Sequence, residues 1–211
     1  MKVNNHAMLL YIVTDRTWLG ENSLIDQVED AIKAGATFVQ LREKNISFDE
    51  FVLEAVQLKK LTDQYGIPFV VNDNVEVALA ANADGVHVGQ SDRDARDVRA
   101  LIGKDKIMGV SAVTVEQAVL AEQSGADYIG VGAVFATSTK KDADVVSLET
   151  LKKICEAVSI PVVAIGGICE ENILQLKGSG VDGVAVISAV FAKPDIYQAA
   201  KDLRRLAEQI L

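Results

Sequence analysis

The chain has 211 residues, 49% of them hydrophobic and 24% charged, with a net charge of −9. This length and composition suit a single domain over residues 1–211, built around one sizeable core. The acidic balance excludes a nucleic-acid surface, because gripping a phosphate backbone needs a broad basic face. Small anions stay open as ligands, since a few local cations reverse the field inside a pocket.

Cys155 and Cys169 form neither a Cys-x-x-Cys pair nor a disulfide framework, so reduced thiols and a cytoplasmic location are expected. The opening Met1-Lys2-Val3-Asn4-Asn5-His6 lacks the apolar core of a signal peptide. No uninterrupted apolar run approaches about 20 residues, so no membrane span is expected. The oligomeric state is left open, with a homo-oligomer allowed.

In chain order, short apolar runs fall at Leu9–Val13, Phe38–Leu41, Ile67–Val71, Gly85–Val88, Ile107–Val110, Tyr128–Val131, Val162–Ile165 and Val184–Ile187. Their richness in β-branched residues predicts parallel strands covered on their outer face by helices. Helical spacing lies between them: Phe48, Phe51, Val52, Ala55, Leu58 and Leu61 recur three or four apart and read as one buried face. Ile196, Ala199, Ala200, Leu203, Ala207 and Ile210 read as another. Ser47-x-x-Glu50 and Thr114-x-x-Gln117 have the form of capping boxes.

A weak repeat punctuates the units. Ala34-Gly35-Ala36, Ala83-Asp84-Gly85, Gly125-Ala126-Asp127 and Gly180-Val181-Asp182-Gly183 each join a helix to the next strand, and glycine there suits a helix C-cap. Eight βα units in 211 residues make an α/β protein of one class, a single (β/α)8 TIM barrel at the compact end of its range. The rival doubly wound sheet normally carries Gly-x-Gly-x-x-Gly after its first strand, and Thr14-Asp15-Arg16-Thr17 does not resemble it.

A barrel does its chemistry beyond the carboxyl ends of its strands, and the polar clusters fall there. Gln40, Arg42 and Lys44 alternate with Val39 and Leu41, so they share one direction, into the barrel mouth. Two readings stand: an Arg–Glu pair plugging the barrel, or a polar anchor with two cations awaiting an anion. Asp73 and Asp92 follow the third and fourth strands. They read either as ligands of a Mg2+ that completes its shell with water and phosphate, or as N-caps of the following helices.

The stretch from Gly132 to Val146 is long for a connecting loop, and its Thr137-Ser138-Thr139-Lys140-Lys141 suits phosphate. Gly166-Gly167 and Ile187-Ser188 lie where such barrels commonly bind phosphate, after the seventh and eighth strands and at a short helix N-terminus. His87 lies inside the fourth strand and reads as a satisfied core histidine, and His6 as part of a loose terminus. No zinc spacing and no Gly-x-Ser-x-Gly elbow occur.

Taken in series, Tyr11-Ile12-Val13-Thr14-Asp15, Gln40-Leu41-Arg42-Glu43-Lys44, Val71-Asn72-Asp73, Gly85-Val86-His87-Val88-Gly89-Gln90 with Asp92, Gly109-Val110-Ser111, Thr137-x-Thr139-Lys140, Ile165-Gly166-Gly167-Ile168 and Ile187-Ser188 resemble the thiamine phosphate synthase family. The resemblance implies a transferase that joins a pyrimidinylmethyl diphosphate to a thiazole phosphate, with Mg2+-assisted loss of diphosphate. It assigns Gln40, Arg42, Lys44, Asn72, Ser111 and Lys140 to the pyrimidine diphosphate, Lys44, Ser111 and Lys140 being the catalytic ones. Asp73 and Asp92 would take Mg2+. Thr137, Ser138, Thr139, Gly167, Ile187 and Ser188 would hold the thiazole phosphate.

One position departs from the family: Val113 stands where a histidine is frequent, after Gly109-Val110-Ser111-Ala112. That weakens the rival reading as a thiazole tautomerase, a relative that depends on the histidine and tends to lack the Asn-Asp and second Asp pattern. A non-catalytic phosphate-binding barrel would need neither Asp73, Asp92 nor Lys140. A Schiff-base aldolase would need an isolated lysine in a dry strand, and the strands contain none.

Overall fold

The computed structural model describes residues 3–20, 22–90, 92–137 and 145–211. Eight parallel strands close in sequence order, each hydrogen-bonded to the next and β8 to β1. They are β1 (Leu10–Val13), β2 (Phe38–Leu41), β3 (Phe69–Asn72), β4 (Gly85–Val88), β5 (Ile107–Ala112), β6 (Tyr128–Val131), β7 (Val162–Ile165) and β8 (Gly183–Val186). The outer layer holds α1 (Leu24–Lys33), α2 (Phe48–Tyr65), α3 (Val75–Ala80), α4 (Ala95–Ile102), α5 (Val115–Gln123), α6 (Leu148–Ala157), the short α7 (Ser188–Phe191) and α8 (Ile196–Ala207).

The expected eight strands are present, most within a residue or two of their predicted bounds. The seventh unit differs: β7 is followed by the 3-10 turn Ile173–Leu176 in place of an α-helix. Gly178, with φ of 78°, turns the chain away two residues later, so too few residues remain for a stable α-helix.

Strand alternation divides the apolar residues into two bodies. Outward residues such as Val39, Leu41, Val71, Val86 and Ile129 pack with the helices. Inward ones form a separate cluster of Met8, Tyr11, Val13, Phe38, Val70, Ile107, Tyr128, Val163 and Ala185. Met8 comes from the 3-10 turn before β1 and so closes the floor of the barrel. Phe38 lies against both tyrosine rings, at centroid distances of 4.5 Å to Tyr11 and 5.5 Å to Tyr128. The α2 face is shorter than its spacing implies: Phe51, Ala55, Leu58 and Leu61 are buried, but Phe48 opens the helix exposed.

Caps follow the sequence with one change. Ser47 and Glu50 make a full capping box on α2. Thr114 caps α5 by accepting from the Gln117 amide, but the Gln117 side chain accepts from Val113 N at 2.8 Å, one residue beyond its expected partner.

The helix-to-strand repeat has two physical origins. Gly35, Gly125 and Gly180 do adopt positive φ, as a C-cap glycine should. Gly85 and Gly183 do not; there a Cβ would lie 2.0 Å from the carbonyl oxygens of Ile107 and Met8. Close backbone approach, not capping, demands glycine at those two positions. The acidic member of the repeat clasps the preceding strand at both backbone groups of one residue. Asp84 accepts from Phe69 N at 2.9 Å and donates its own amide to Phe69 O at 2.9 Å. Asp127 does the same to Met108, Asp182 to Val162, and Thr37 uses its hydroxyl to do so to Leu10. Each even strand thereby starts by fixing the lower end of the odd strand before it.

Side-chain space inside the barrel is tight at Gly109, where a Cβ would fall 2.1 Å from Tyr128 Cζ and 2.5 Å from His87 Nδ1. Gly109→Ala must displace a buried ring, and overpacking of this kind costs about 1–3 kcal/mol. A urea midpoint that falls accordingly is the expected result; an unchanged midpoint would mean that the interior yields freely.

Candidate active site

The carboxyl ends of the strands surround a cleft of about 510 Å³. Gln40, Arg42, Lys44, Asn72, Asp73, Asp92, Ser111, Thr137, Gly167, Ile187 and Ser188 all line it. The remaining sequence candidates, Ser138, Thr139 and Lys140, lie outside the described residues.

The β1 and β2 ends are sewn together by Thr14, fully buried, which donates its amide to Gln40 O and accepts from Arg42 N, each at 3.0 Å. This fixes the backbone from which Arg42 enters the cleft. The Arg–Glu plug does not form. Arg42 faces Asp15 at 3.7 Å, while Glu43 turns outward to Arg16, which also bonds Glu54. The alternation explains the outcome, since residues 42 and 43 point to opposite sides of the strand.

Glu43 has a side chain only 2% exposed, and its Oε1 has no partner. Burial pushes its carboxyl above the ordinary value, with the Arg16 bond opposing and Glu54 adding to the rise.

Asp73 and Asp92 are not helix caps. Asn74 caps α3 by accepting from Val77 N, and Asp94 caps α4 by accepting from Arg96 N. Asp73 instead takes φ of 61° at the end of β3, and its carboxylate accepts from Asn72 Nδ2 at 2.6 Å. Asp92 folds back so that Oδ2 accepts from Gly89 N at 2.7 Å. A side chain at 89 would crowd that carboxylate, its Cβ lying 2.9 Å from the same oxygen. The Asp73 carboxyl is pushed up to about 6, first by the desolvating walls of the cleft and then by Asp92 beside it, with Asn72 and Arg42 opposing. Two carboxylates this close raise each other's proton affinity and share one stretch of the cleft wall. No group of three or more His, Cys, Asp or Glu that could hold a metal ion occurs among the described residues.

Across the mouth, Gly166 and Gly167 have φ of 98° and 64°, and a Cβ on Gly167 would lie 2.4 Å from Ala136 O. Only glycine fits, and it keeps this wall of backbone open to a ligand. Asn172 holds the turn by donating to Gly167 O and accepting from Cys169 N. Ile187 precedes α7 without a side-chain cap, and it lines the mouth together with Ser188.

Several lining residues escaped the sequence reading. Tyr11 and Tyr128 are barrel aromatics whose hydroxyls meet at 2.7 Å. Gln90 donates to Ser111 O at 2.7 Å, and Gln117 lines the cleft next to Val113. His87 is a satisfied interior histidine, as expected, bonding Tyr128 OH and Ser111 Oγ at 2.9 Å each. It nevertheless belongs to the cleft, because Ser111 is its neighbour.

An α/β barrel with cations, paired carboxylates and glycine-walled backbone at one mouth defines a class of enzymes acting on phosphorylated small molecules. The family model for thiamine monophosphate synthase matches residues 10–190, and the chain belongs to that family. It is similar to the thiamine-phosphate synthase of Clostridium tetani, with 53% identity over 96% of this chain and 97% of that one. The thiamine-phosphate synthase of Ruminiclostridium cellulolyticum is 54% identical over 92% of each chain. Among solved structures, the thiamine phosphate pyrophosphorylase from Pyrococcus furiosus superposes with a TM-score of 0.90 at 42% identity, covering 98% of both chains.

The Glu43 cluster makes a stability prediction. A carboxyl whose folded pKa is raised binds an extra proton in the native state. Its favourable contribution is complete below the ordinary glutamate value and is lost as pH rises through the raised one. Glu43→Gln removes the titration but keeps the shape. The loss of urea stability as pH rises above the ordinary glutamate value of about 4.3 should therefore be shallower than in wild type. Parallel curves would show that Glu43 stays ionised throughout.

Proposed function

We propose that the chain is a thiamine phosphate synthase: it joins a pyrimidinylmethyl diphosphate to a thiazole phosphate and releases thiamine phosphate and diphosphate. Its family membership and the relatives named above support the activity. The observation that carries the site assignment is the division of the mouth. Gln40, Arg42, Lys44, Asn72, Asp73, Asp92 and Ser111 come from the ends of β2 to β5, and Thr137, Gly167, Ile187 and Ser188 from those of β6 to β8. One half offers cations and carboxylates, the other backbone and hydroxyls, and two different phosphorylated substrates need two such half-sites.

On this reading Gln40, Arg42, Lys44, Asn72, Ser111 and Lys140 hold the pyrimidine diphosphate, and Thr137, Ser138, Thr139, Gly167, Ile187 and Ser188 hold the thiazole phosphate. The reaction breaks the bond between the methylene carbon and the diphosphate oxygen, and the electron pair leaves with the oxygen. The amino-substituted ring spreads the positive charge left on carbon, and the thiazole nitrogen then forms the new bond. Lys44 and Lys140 would stabilise the departing charge more than the ground state, which is how such groups accelerate a step. Arg42, held by Asp15, adds positive potential without a proton to lose. The residues Asp73 and Asp92 would hold Mg2+, which supplies further neutralisation of the leaving group.

The substrates are small phosphorylated molecules, and the setting proposed is cytoplasmic. No helix among the described residues is long and apolar enough to cross a membrane.

Mixing both substrates with Mg2+ should give thiamine phosphate and diphosphate; no product from correctly folded protein would sink the proposal. Asp73→Asn and Asp92→Asn should each lower turnover on the order of a hundredfold while the fold survives. Acting through one ion, the double variant should be little worse than the worse single one. Multiplicative losses, or activity that persists in excess EDTA, would contradict a shared Mg2+.

A further inference from the structure

A continuous line of buried side-chain hydrogen bonds crosses the barrel along the bottom of the cleft and ends at Ser111. Gln40 Nε2 lies 2.5 Å from Tyr11 OH, Tyr11 OH 2.7 Å from Tyr128 OH, Tyr128 OH 2.9 Å from His87 Nδ1, and His87 Nε2 2.9 Å from Ser111 Oγ. Gln40 and His87 are buried, and the two tyrosines are 1% and 0% exposed. Both phenols are pushed well above their ordinary range by burial, so each keeps its single hydrogen.

The inventory of donors gives this line a direction. An amide nitrogen has only hydrogens to give, so Tyr11 accepts from Gln40. Among the described residues the Tyr128 oxygen is the acceptor within reach of Tyr11, so the Tyr11 hydrogen goes there. Tyr128 has one hydrogen, and with Tyr11 already donating to it, that hydrogen goes to His87 Nδ1. The accepting nitrogen of a neutral imidazole carries no proton, which leaves the proton on Nε2, facing Ser111. Ser111 Oγ accepts there, and its own hydrogen is free to turn toward the cleft that Ser111 lines.

We propose that His87 is a positioning residue: the line from Gln40 holds it as the Nε2–H tautomer, so that Ser111 is obliged to donate its hydroxyl hydrogen to an acceptor atom of the pyrimidine diphosphate. This rests on the reading of the cleft as the site of that substrate. Were the line reversed, Ser111 would give its hydrogen to His87 and present only lone pairs to a substrate rich in negative oxygen. Gly109 and Gly130 serve the arrangement by leaving room for the imidazole, since a Cβ on them would lie 2.5 Å from Nδ1 and 3.1 Å from Cε1.

The tautomer can be read directly in the wild-type fold. The chain has 2 histidines, so a His6→Gln background labelled with 15N-histidine reports His87 alone. Long-range proton–nitrogen correlation should show an unprotonated Nδ1 and a protonated Nε2; the opposite tautomer would overturn the proposal whatever the activity assay gives. Kinetics supply the second arm. Ser111→Ala and His87→Phe should each lower turnover roughly ten- to a hundredfold, the scale of one hydrogen bond to a charged group. The KM for the thiazole phosphate should stay unchanged. The double variant should lose little more than either single one, and His87→Gln, whose amide can still donate to Ser111, should recover much of the loss. Multiplicative losses would mean that His87 does not act through Ser111. If His87→Phe does not fold, His87→Gln and the tautomer measurement still decide. Failure of the wild-type protein to make thiamine phosphate, with the tautomer as stated, would instead sink the functional reading on its own.

Discussion

The constraint on which this structure turns is the need to satisfy polar groups buried inside the barrel. A buried hydroxyl or amide without a partner costs more than the bond itself would gain. Gln40, Tyr11, Tyr128 and His87 therefore have to be placed as one set, each supplying what the next lacks. The set comes from β2, β1, β6 and β4, so it ties opposite walls of the barrel together. A single apolar replacement in the line orphans its neighbours, whereas no comparable penalty attends the outward residues packed under the helices.

That requirement reaches the apolar interior as well. Phe38 fills the space beside the tyrosines, and their tilted rings keep both hydroxyls aimed at each other. Gly109 is the compensating void: the rings and the imidazole occupy the volume its side chain would have taken. Below this layer the strands are held by the Asp84, Asp127, Asp182 and Thr37 clasps, which set the register of strand pairs from the floor. Above it the chain is committed to chemistry. Rigid packing at one end of each strand and polar loops at the other is the division of labour that lets a barrel keep its shape while its mouth carries charge.

Much of this was legible in the sequence, and the reasons differ by residue. Gln40, Arg42 and Lys44 could be placed in the mouth because strand alternation has a period of two and needs only local information. Asp73 and Asp92 could be placed near one another because neighbouring strands of a barrel follow chain order. Their freedom from capping was not legible, because Asn74 and Asp94 are equally good caps and the choice depends on where each helix starts. The repeat was visible and its C-cap role holds at Gly35, Gly125 and Gly180, but the aspartate clasps were not legible, since a clasp spans two strands and shows no local pattern. The tyrosine line was hidden for the same reason: Tyr11 and Tyr128 are 117 residues apart, and only the closed topology brings their hydroxyls together. Pairing between Arg42 and Glu43, by contrast, could have been rejected from alternation alone.

The placement of Glu43 shows how the mouth stays organised although it carries mutually repelling groups. Arg16 joins Glu43 to Glu54, so the loop after β1 is tied to α2 from outside the cleft. Asp15, one residue earlier, turns inward to Arg42. Adjacent residues of one loop thus serve opposite faces of β2, and the acidic partners of Arg16 and Arg42 are kept apart. Arg42 faces its carboxylate at 3.7 Å, a long ion pair, and keeps guanidinium capacity for a ligand. A tight bidentate pair would have satisfied it in advance. The loose pair toward the cleft and the closed one behind it are therefore complementary: the second fixes the loop, which allows the first to remain open to an anion.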